Sequence, residues 1–340
     1  LEPFTHALTS LALSRAIPSR LPRLGTALLV TAGIAPDLDY ASYFGGPGAF
    51  LAIHRSALHS VGGAAVTSCT LAALFCVLDK RWPPRKSAQR PATFAAALAL
   101  CVAGTVTHDL LDLASGEGLQ LLWPFGVHWS HWNLAASFDP WILILLLGGF
   151  LIPQLFALVG EEVGAPKKSS AGSGAAAATL LLLFTYLGAR AYLHNHAVEV
   201  LLSSEYHGRE PLSAGAFPSS ANPFEWRGLV STDKTIEELA VNLSPGADFN
   251  PDRSLTHYKP AGSPALEVGE KTPAAQKFLK YAEFPLASVA HREDGYRFEL
   301  RDLRFPSSDN GPENLLARAD LASDFRITLQ QIRYASSGEN

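Results

Sequence analysis

Residues 92–112 read ATFAAALALCVAGTVTHDLLD, an apolar run that ends in two acids and a histidine. A helix needs about 20 mostly apolar residues to cross a hydrocarbon core roughly 30 Å thick, because each residue rises 1.5 Å. This run meets that length, and so do 24–43, 61–79 and 139–160, with a fifth over 174–193. The opening stretch 4–17, FTHALTSLALSRAI, is shorter and reads as a sixth span or a shallow helix closed by Pro18. The expected fold is therefore an α-helical, multi-pass membrane domain of five or six helices.

Composition divides the 340-residue chain. The mean hydropathy of +0.12 averages a greasy first part with a polar second one. The expected organisation is a transmembrane metal-binding domain over 1–198, a linker over 199–224 and a small, mainly β (α+β) soluble domain over 225–340. A net charge of −4 offers no concentrated basic face, which excludes nucleic acid as a partner. The three cysteines, Cys69, Cys76 and Cys101, lie in apolar runs and read as small buried hydrophobes, with no disulfide framework. With no methionine and Leu at position 1, residue 1 is read as the start, without a cleavable signal peptide.

Orientation follows from Lys and Arg in the short loops. Arg15, Arg20 and Arg23 cluster after the first helix, Lys80, Arg81, Arg85, Lys86 and Arg90 after the third, and Lys167 with Lys168 after the fifth. The intervening loops, 44–60 and 113–138, hold Arg55 as their single basic residue. This alternation places those two loops, the N-terminus and everything after about residue 195 on the outer side of a bacterial-type plasma membrane.

Ionisable groups inside a membrane are costly and point to function. His6, Asp37 and Asp39 (APDLD), His54, Arg55 and His59 (HRSALH), and His108, Asp109 and Asp112 (THDLLD) fall at one membrane face from four segments. His108 and Asp112, four apart, project from one helix face and can hold the same ion. Mixed imidazole and carboxylate donors suit zinc, with manganese or iron as alternatives. An ion also offsets the cost of burying several carboxylates, and an open coordination position lets it polarise a phosphoryl oxygen. Arg55 can pair with an aspartate or bind an anionic substrate group, the second being preferred. Asp39 can act as general base or orient water, while Asp109 sits off the His108–Asp112 face and reads as structural. His128 and His131, among Trp123, Trp129 and Trp132, read as part of an interfacial belt. His194, His196 and His207 read as surface residues.

The opening FTHALTSLALSRA, then APDLDY, HRSALHS and HDLLDLASGEGLQLLWPF, resemble in this order the YdjM-like membrane-bound metal-dependent hydrolases. The resemblance implies His6, Asp37, His54, His59, His108 and Asp112 as ligands of one or two divalent ions, with Asp39 and Arg55 beside them in catalytic roles. It further implies a hydrolase, distantly similar to the zinc-dependent phospholipase C and P1 nuclease group, whose His-x-x-x-Asp pair has the spacing of His108 and Asp112. No second such pair is evident here. The expected reaction is cleavage of a phosphoester or other ester, small or lipid-derived, with membrane lipids as neighbours. An ion-coupled transporter and a scaffold with a structural metal are the alternatives.

Beyond residue 200 short alternating runs replace the spans. KYAEFPLASVAHREDGYRFELRDLRF reads as a hairpin about Asp294-Gly295, FRITLQQIRYA as a further strand, 274–282 as a short helix and 208–224 as linker.

Overall fold

The computed structural model describes residues 1–17, 21–82, 91–126, 128–162, 171–305 and 314–335. Helices α1 (Pro3–Ala16), α2 (Gly25–Ile34), α3 (Pro47–Ile53), α4 (Val61–Arg81), α5 (Phe94–Ala114), α6 (Pro140–Glu162) and α7 (Ala171–Leu202) come first. Strands β1 (Ser213–Pro218), β2 (Glu225–Ser231), β3 (Thr235–Asn242) and β4 (Leu255–Tyr258) follow, then α8 (Pro264–Glu270) and α9 (Pro273–Leu279). The chain closes with β5 (Pro285–Arg292), β6 (Gly295–Asp302), β7 (Leu315–Ala322) and β8 (Ile327–Tyr334). Two compact units result. One comprises Leu1–Asp39, Arg55–Gly126 and Ser130–Ala191, and the other Tyr40–His54, Val127–Trp129 and Tyr192–Asn340.

Among the described residues, four helices are long and apolar enough to cross a membrane: Val61–Arg81, Phe94–Ala114, Pro140–Gly160 and Gly172–Leu202. The run expected as a span over 24–43 takes another form. Pro36 has no N–H to continue the i→i−4 ladder, so α2 stops at Ile34 and a 3₁₀ helix runs from Pro36 to Gly45. Side-chain oxygens of Ser60 and Thr93 accept from Gly63 N and Ala96 N, closing the first turns of α4 and α5. Leu151, Leu155, Phe156, Leu181, Leu182 and Phe184 are exposed on α6 and α7, as a lipid-facing surface requires. Cys69 is exposed on α4 and Cys76 half-buried; of the three cysteines expected inside, Cys101 alone is buried. The basic residues Arg20, Arg85, Lys86, Arg90, Lys167 and Lys168 used to read orientation lie outside the described residues.

Close backbone approach fixes α5 on α2. A Cβ on Gly104 would lie 2.7 Å from Leu29 O, 2.9 Å from Ala32 Cβ and 3.0 Å from Gly33 N, so only glycine fits this crossing. The end of α5 is closed by the segment that follows it: Trp132 N donates to Leu113 O at 2.7 Å, and Leu134 N to Ala114 O at 2.8 Å. These bonds satisfy carbonyls that a helix end leaves unpaired. That segment is itself held from α7, where buried Arg190 donates through Nε to Leu134 O at 2.8 Å. Asp139 caps α6 by accepting from Trp141 N and Ile142 N, and Tyr186 of α7 donates its hydroxyl to the same carboxylate. This polar staple was invisible in the hydropathy pattern.

The other unit carries two four-stranded antiparallel sheets, in the orders β1-β2-β3-β4 and β5-β6-β7-β8. One face of the first sheet buries Trp226, Val230 and Val241 with Ala197, Leu201 and Tyr206. Leu229, Ile236 and Phe217 pack with Phe284. The second sheet covers Phe278 of α9 and Leu266 of α8 with Phe298, Leu300 and Leu315, a core that also takes Phe50 and Leu51 of α3. The hairpin expected about Asp294-Gly295 forms with its turn one residue earlier. Arg292 pairs with Gly295, leaving Glu293 and Asp294 as the two-residue loop. The stretch expected as linker contains β1.

Candidate metal centre

Helix α5 supplies the middle of the site, because the Gly104 crossing sets His108 one turn further along against α2. His108 Nδ1 lies 2.8 Å from Gly33 O, a carbonyl that can only accept, so Nδ1 carries the proton and Nε2 presents a lone pair. Asp112, one turn on, is fully buried. The α1 helix brings His6 alongside, its ring stacked on His108 with centroids 3.8 Å apart. The 3₁₀ helix after Pro36 contributes Asp37. Ligand atoms of His6, Asp37, His108 and Asp112 all lie within 4.8 Å of one another.

His59 completes the group from the turn before α4. Its Nδ1 lies 2.9 Å from Asp39 Oδ2, which turns its Nε2 toward the cluster. That Nε2 is 3.1 Å from His108 Nε2 and 3.3 Å from Asp112 Oδ2. Two imidazole lone pairs facing each other repel unless a proton or a cation lies between them. Nitrogens bound to one tetrahedral zinc at about 2.0–2.1 Å lie roughly 3.3 Å apart, close to the separation seen here. Asp37 Oδ2 and Asp112 Oδ2 are buried and accept no hydrogen bond among the described residues. Buried carboxylate oxygens without donors are unstable unless a cation serves them. The residues present therefore fit a divalent ion.

The structure distributes the expected residues unequally. His6, Asp37, His59, His108 and Asp112 come together. His54 is not among the grouped residues; within the second compact unit its ring stacks on Phe50 at 4.4 Å and packs edge-on to Tyr40 at 4.3 Å. The divergence arises at Arg55, whose backbone turns left-handed at φ 55°. Asp39 accepts from Arg55 N at 2.9 Å with the same oxygen that faces His59. That geometry suits an orienting carboxylate for a histidine ligand, a common arrangement behind bound metals. Arg55 lies with Nη2 2.9 Å from Glu117 Oε2 and 3.6 Å from Asp112 Oδ1, while Nη1 donates to Ser115 Oγ at 3.0 Å. Its guanidinium is thus engaged by protein groups. Glu117 was missed by the sequence reading. Asp109 is buried on α5 outside the four-residue cluster, as its spacing suggested. His194 packs edge-on to Trp226 at 5.5 Å.

The family model for the YdjM inner membrane protein matches residues 1–197. The chain belongs to this family. The YdjM match covers every element that contributes to the cluster, from α1 to α5, and ends within α7. No curated protein and no solved structure matches the chain. The chain is accordingly a membrane protein of the YdjM family with a His/Asp cluster able to hold a metal ion.

Proposed function

We propose that the chain is a membrane-bound, metal-dependent hydrolase whose ion, most suitably zinc, sits among His6, Asp37, His59, His108 and Asp112. The observation that carries this is the 3.1 Å approach of two imidazole Nε2 atoms over a buried carboxylate oxygen that lacks a donor. A divalent ion held there supplies Lewis acidity toward a phosphoryl or carbonyl oxygen. The protein's own part is to fix the ligands. Gly33 O and Asp39 orient His108 and His59, while Asp112 faces His6 with Oδ1 and His59 and His108 with Oδ2. The substrate class favoured is a phosphoester or other ester at the membrane surface, lipid-derived in the simplest case, because the cluster sits at the end of a membrane-crossing helix. Charge alternation in the loops supports an outer location for this end and for the β-rich part.

A structural metal is the second reading, favoured by the number of side chains: four donors already suffice to close a tetrahedral site. The two separate on activity. Detergent-purified protein reloaded with zinc or manganese should hydrolyse bis(p-nitrophenyl) phosphate or a short-chain phospholipid. His108→Ala/Asp112→Ala and chelated wild type should not. Metal bound tightly with no turnover of any phosphoester or carboxylester would leave the structural reading standing.

A further inference from the structure

We infer that Glu117 is a positioning residue for the cation cluster, acting through Arg55 on Asp112; this rests on the metal-site reading above. The backbone of Arg55 is held at both ends. Its N–H donates to Asp39 Oδ2 at 2.9 Å, and its carbonyl accepts from Gln120 N at 2.9 Å. Such clamping is what sustains a left-handed conformation at a residue other than glycine. The side chain therefore leaves the backbone at a fixed point and reaches the buried region beside Glu117 and Ser115.

Its distances then show which partner holds it. Glu117 Oε2 is 2.9 Å from Nη2, whereas Asp112 Oδ1 is 3.6 Å away and is met more closely by Leu1 N at 2.6 Å and His6 Nε2 at 3.1 Å. Arg55, Glu117 and Asp112 are at most 5 % exposed at their side chains, as is the Leu1 ammonium on Asp112, so little solvent screens these charges. Arginine does not lose its proton in proteins. Without an opposing carboxylate, its charge would close on Asp112 and compete with a divalent ion for that ligand. Glu117 draws the guanidinium to the far side and offsets its charge. Ser137 in turn donates its hydroxyl to the other oxygen of Glu117, and Ser115, bonded to Arg55 Nη1, donates to Asp112 O at 2.8 Å. Glu117 thereby sets how much of Asp112 is available to a cation, without touching the cation itself.

The test is the affinity of full-length, detergent-purified protein for Zn²⁺ and Mn²⁺ by calorimetric titration, with thermal unfolding followed in parallel. Glu117→Gln should weaken binding by about 10–100-fold, the range seen when partners behind metal ligands are lost. On an Arg55→Gln background the same substitution should cost less than about threefold, because the competing charge has gone. Ser137→Ala, which leaves every charge in place, should weaken binding in the same direction by a smaller factor and serves if Glu117→Gln unfolds. Unchanged affinity in Glu117→Gln, or in Ser137→Ala where that variant stands in, would overturn the inference. An equal loss on both backgrounds would overturn it too, since Glu117 would then act without Arg55. Failure of the wild type to bind either ion would instead remove the metal-site reading itself.

Discussion

Gly104→Ala puts one methyl group where α5 crosses α2, and its consequences can be followed to the metal centre. The new Cβ would lie 2.7 Å from Leu29 O, 2.9 Å from Ala32 Cβ and 3.0 Å from Gly33 N. Two of these are backbone atoms, so no side-chain rotation relieves the overlap. To regain ordinary van der Waals separation the helices must part by about 0.7 Å. His108 stands one turn beyond Gly104, and its Nδ1 bonds to the carbonyl of Gly33 at 2.8 Å. The same displacement stretches that contact to about 3.5 Å, at the edge of what counts as a hydrogen bond. Overpacking of this kind costs about 1–3 kcal/mol of stability. Loss of the bond that orients His108 should weaken Zn²⁺ binding about 10–100-fold. Titration calorimetry and thermal unfolding in detergent read the two effects separately. Gly188→Ala, where an added Cβ meets nothing within 4 Å, is the control and should leave both near wild type. Wild-type affinity in Gly104→Ala would refute the claim that this crossing holds His108 in register.

Protons should compete with the metal, because only neutral imidazole ligates: occupancy should fall as pH drops below about 6, and full occupancy at pH 4.5 by elemental analysis would contradict a histidine-rich site. In the β-rich part, burial pushes the Glu237 carboxyl up, but hydroxyls of Ser254, Thr256 and Thr235 outweigh it and hold the group below its ordinary 4.5. A depressed carboxylate stabilises the fold above 4.5, and that contribution is lost as pH falls through the folded-state value. Denaturant titrations followed by near-ultraviolet circular dichroism should therefore show stability declining below that pH, with a flatter profile in Glu237→Gln; identical profiles would count against the assignment.

Much of this architecture was legible because membrane spans and ligand spacings are one-dimensional signals. The run ending in HDLLD carried both at once: its length gave the span, and the four-residue separation gave His108 and Asp112 a common face. Pro36 gave a weaker signal. Hydropathy runs straight across it, yet the missing N–H ends α2 and lets the 3₁₀ helix deliver Asp37 and Asp39. His54 is not among the grouped residues, for a conformational reason. Pattern alone treats His54 and His59 alike, and the reversal at Arg55 that sends His54 to Phe50 and Tyr40 depends on partners, Asp39 and Gln120, remote from it in sequence. Glu117 left a usable trace. Arg55 is the single basic residue and Glu117 the single acidic one across 44–60 and 113–138, and two lone opposite charges in apolar loops are candidates for a pair. The expected linker looked loose because its residues are small. They are small because β1 packs tightly: a Cβ on Gly215 would come within 2.7 Å of the Phe284 ring.

Metal stoichiometry tests the central claim most directly. Full-length protein purified in detergent, without chelators, should contain at least about one zinc or manganese per chain by elemental analysis. His108→Ala/Asp112→Ala, purified identically and shown to be folded by its thermal transition, should contain almost none. Equal metal in the two proteins, or none in the wild type even after reloading, would contradict a metal centre built on these residues.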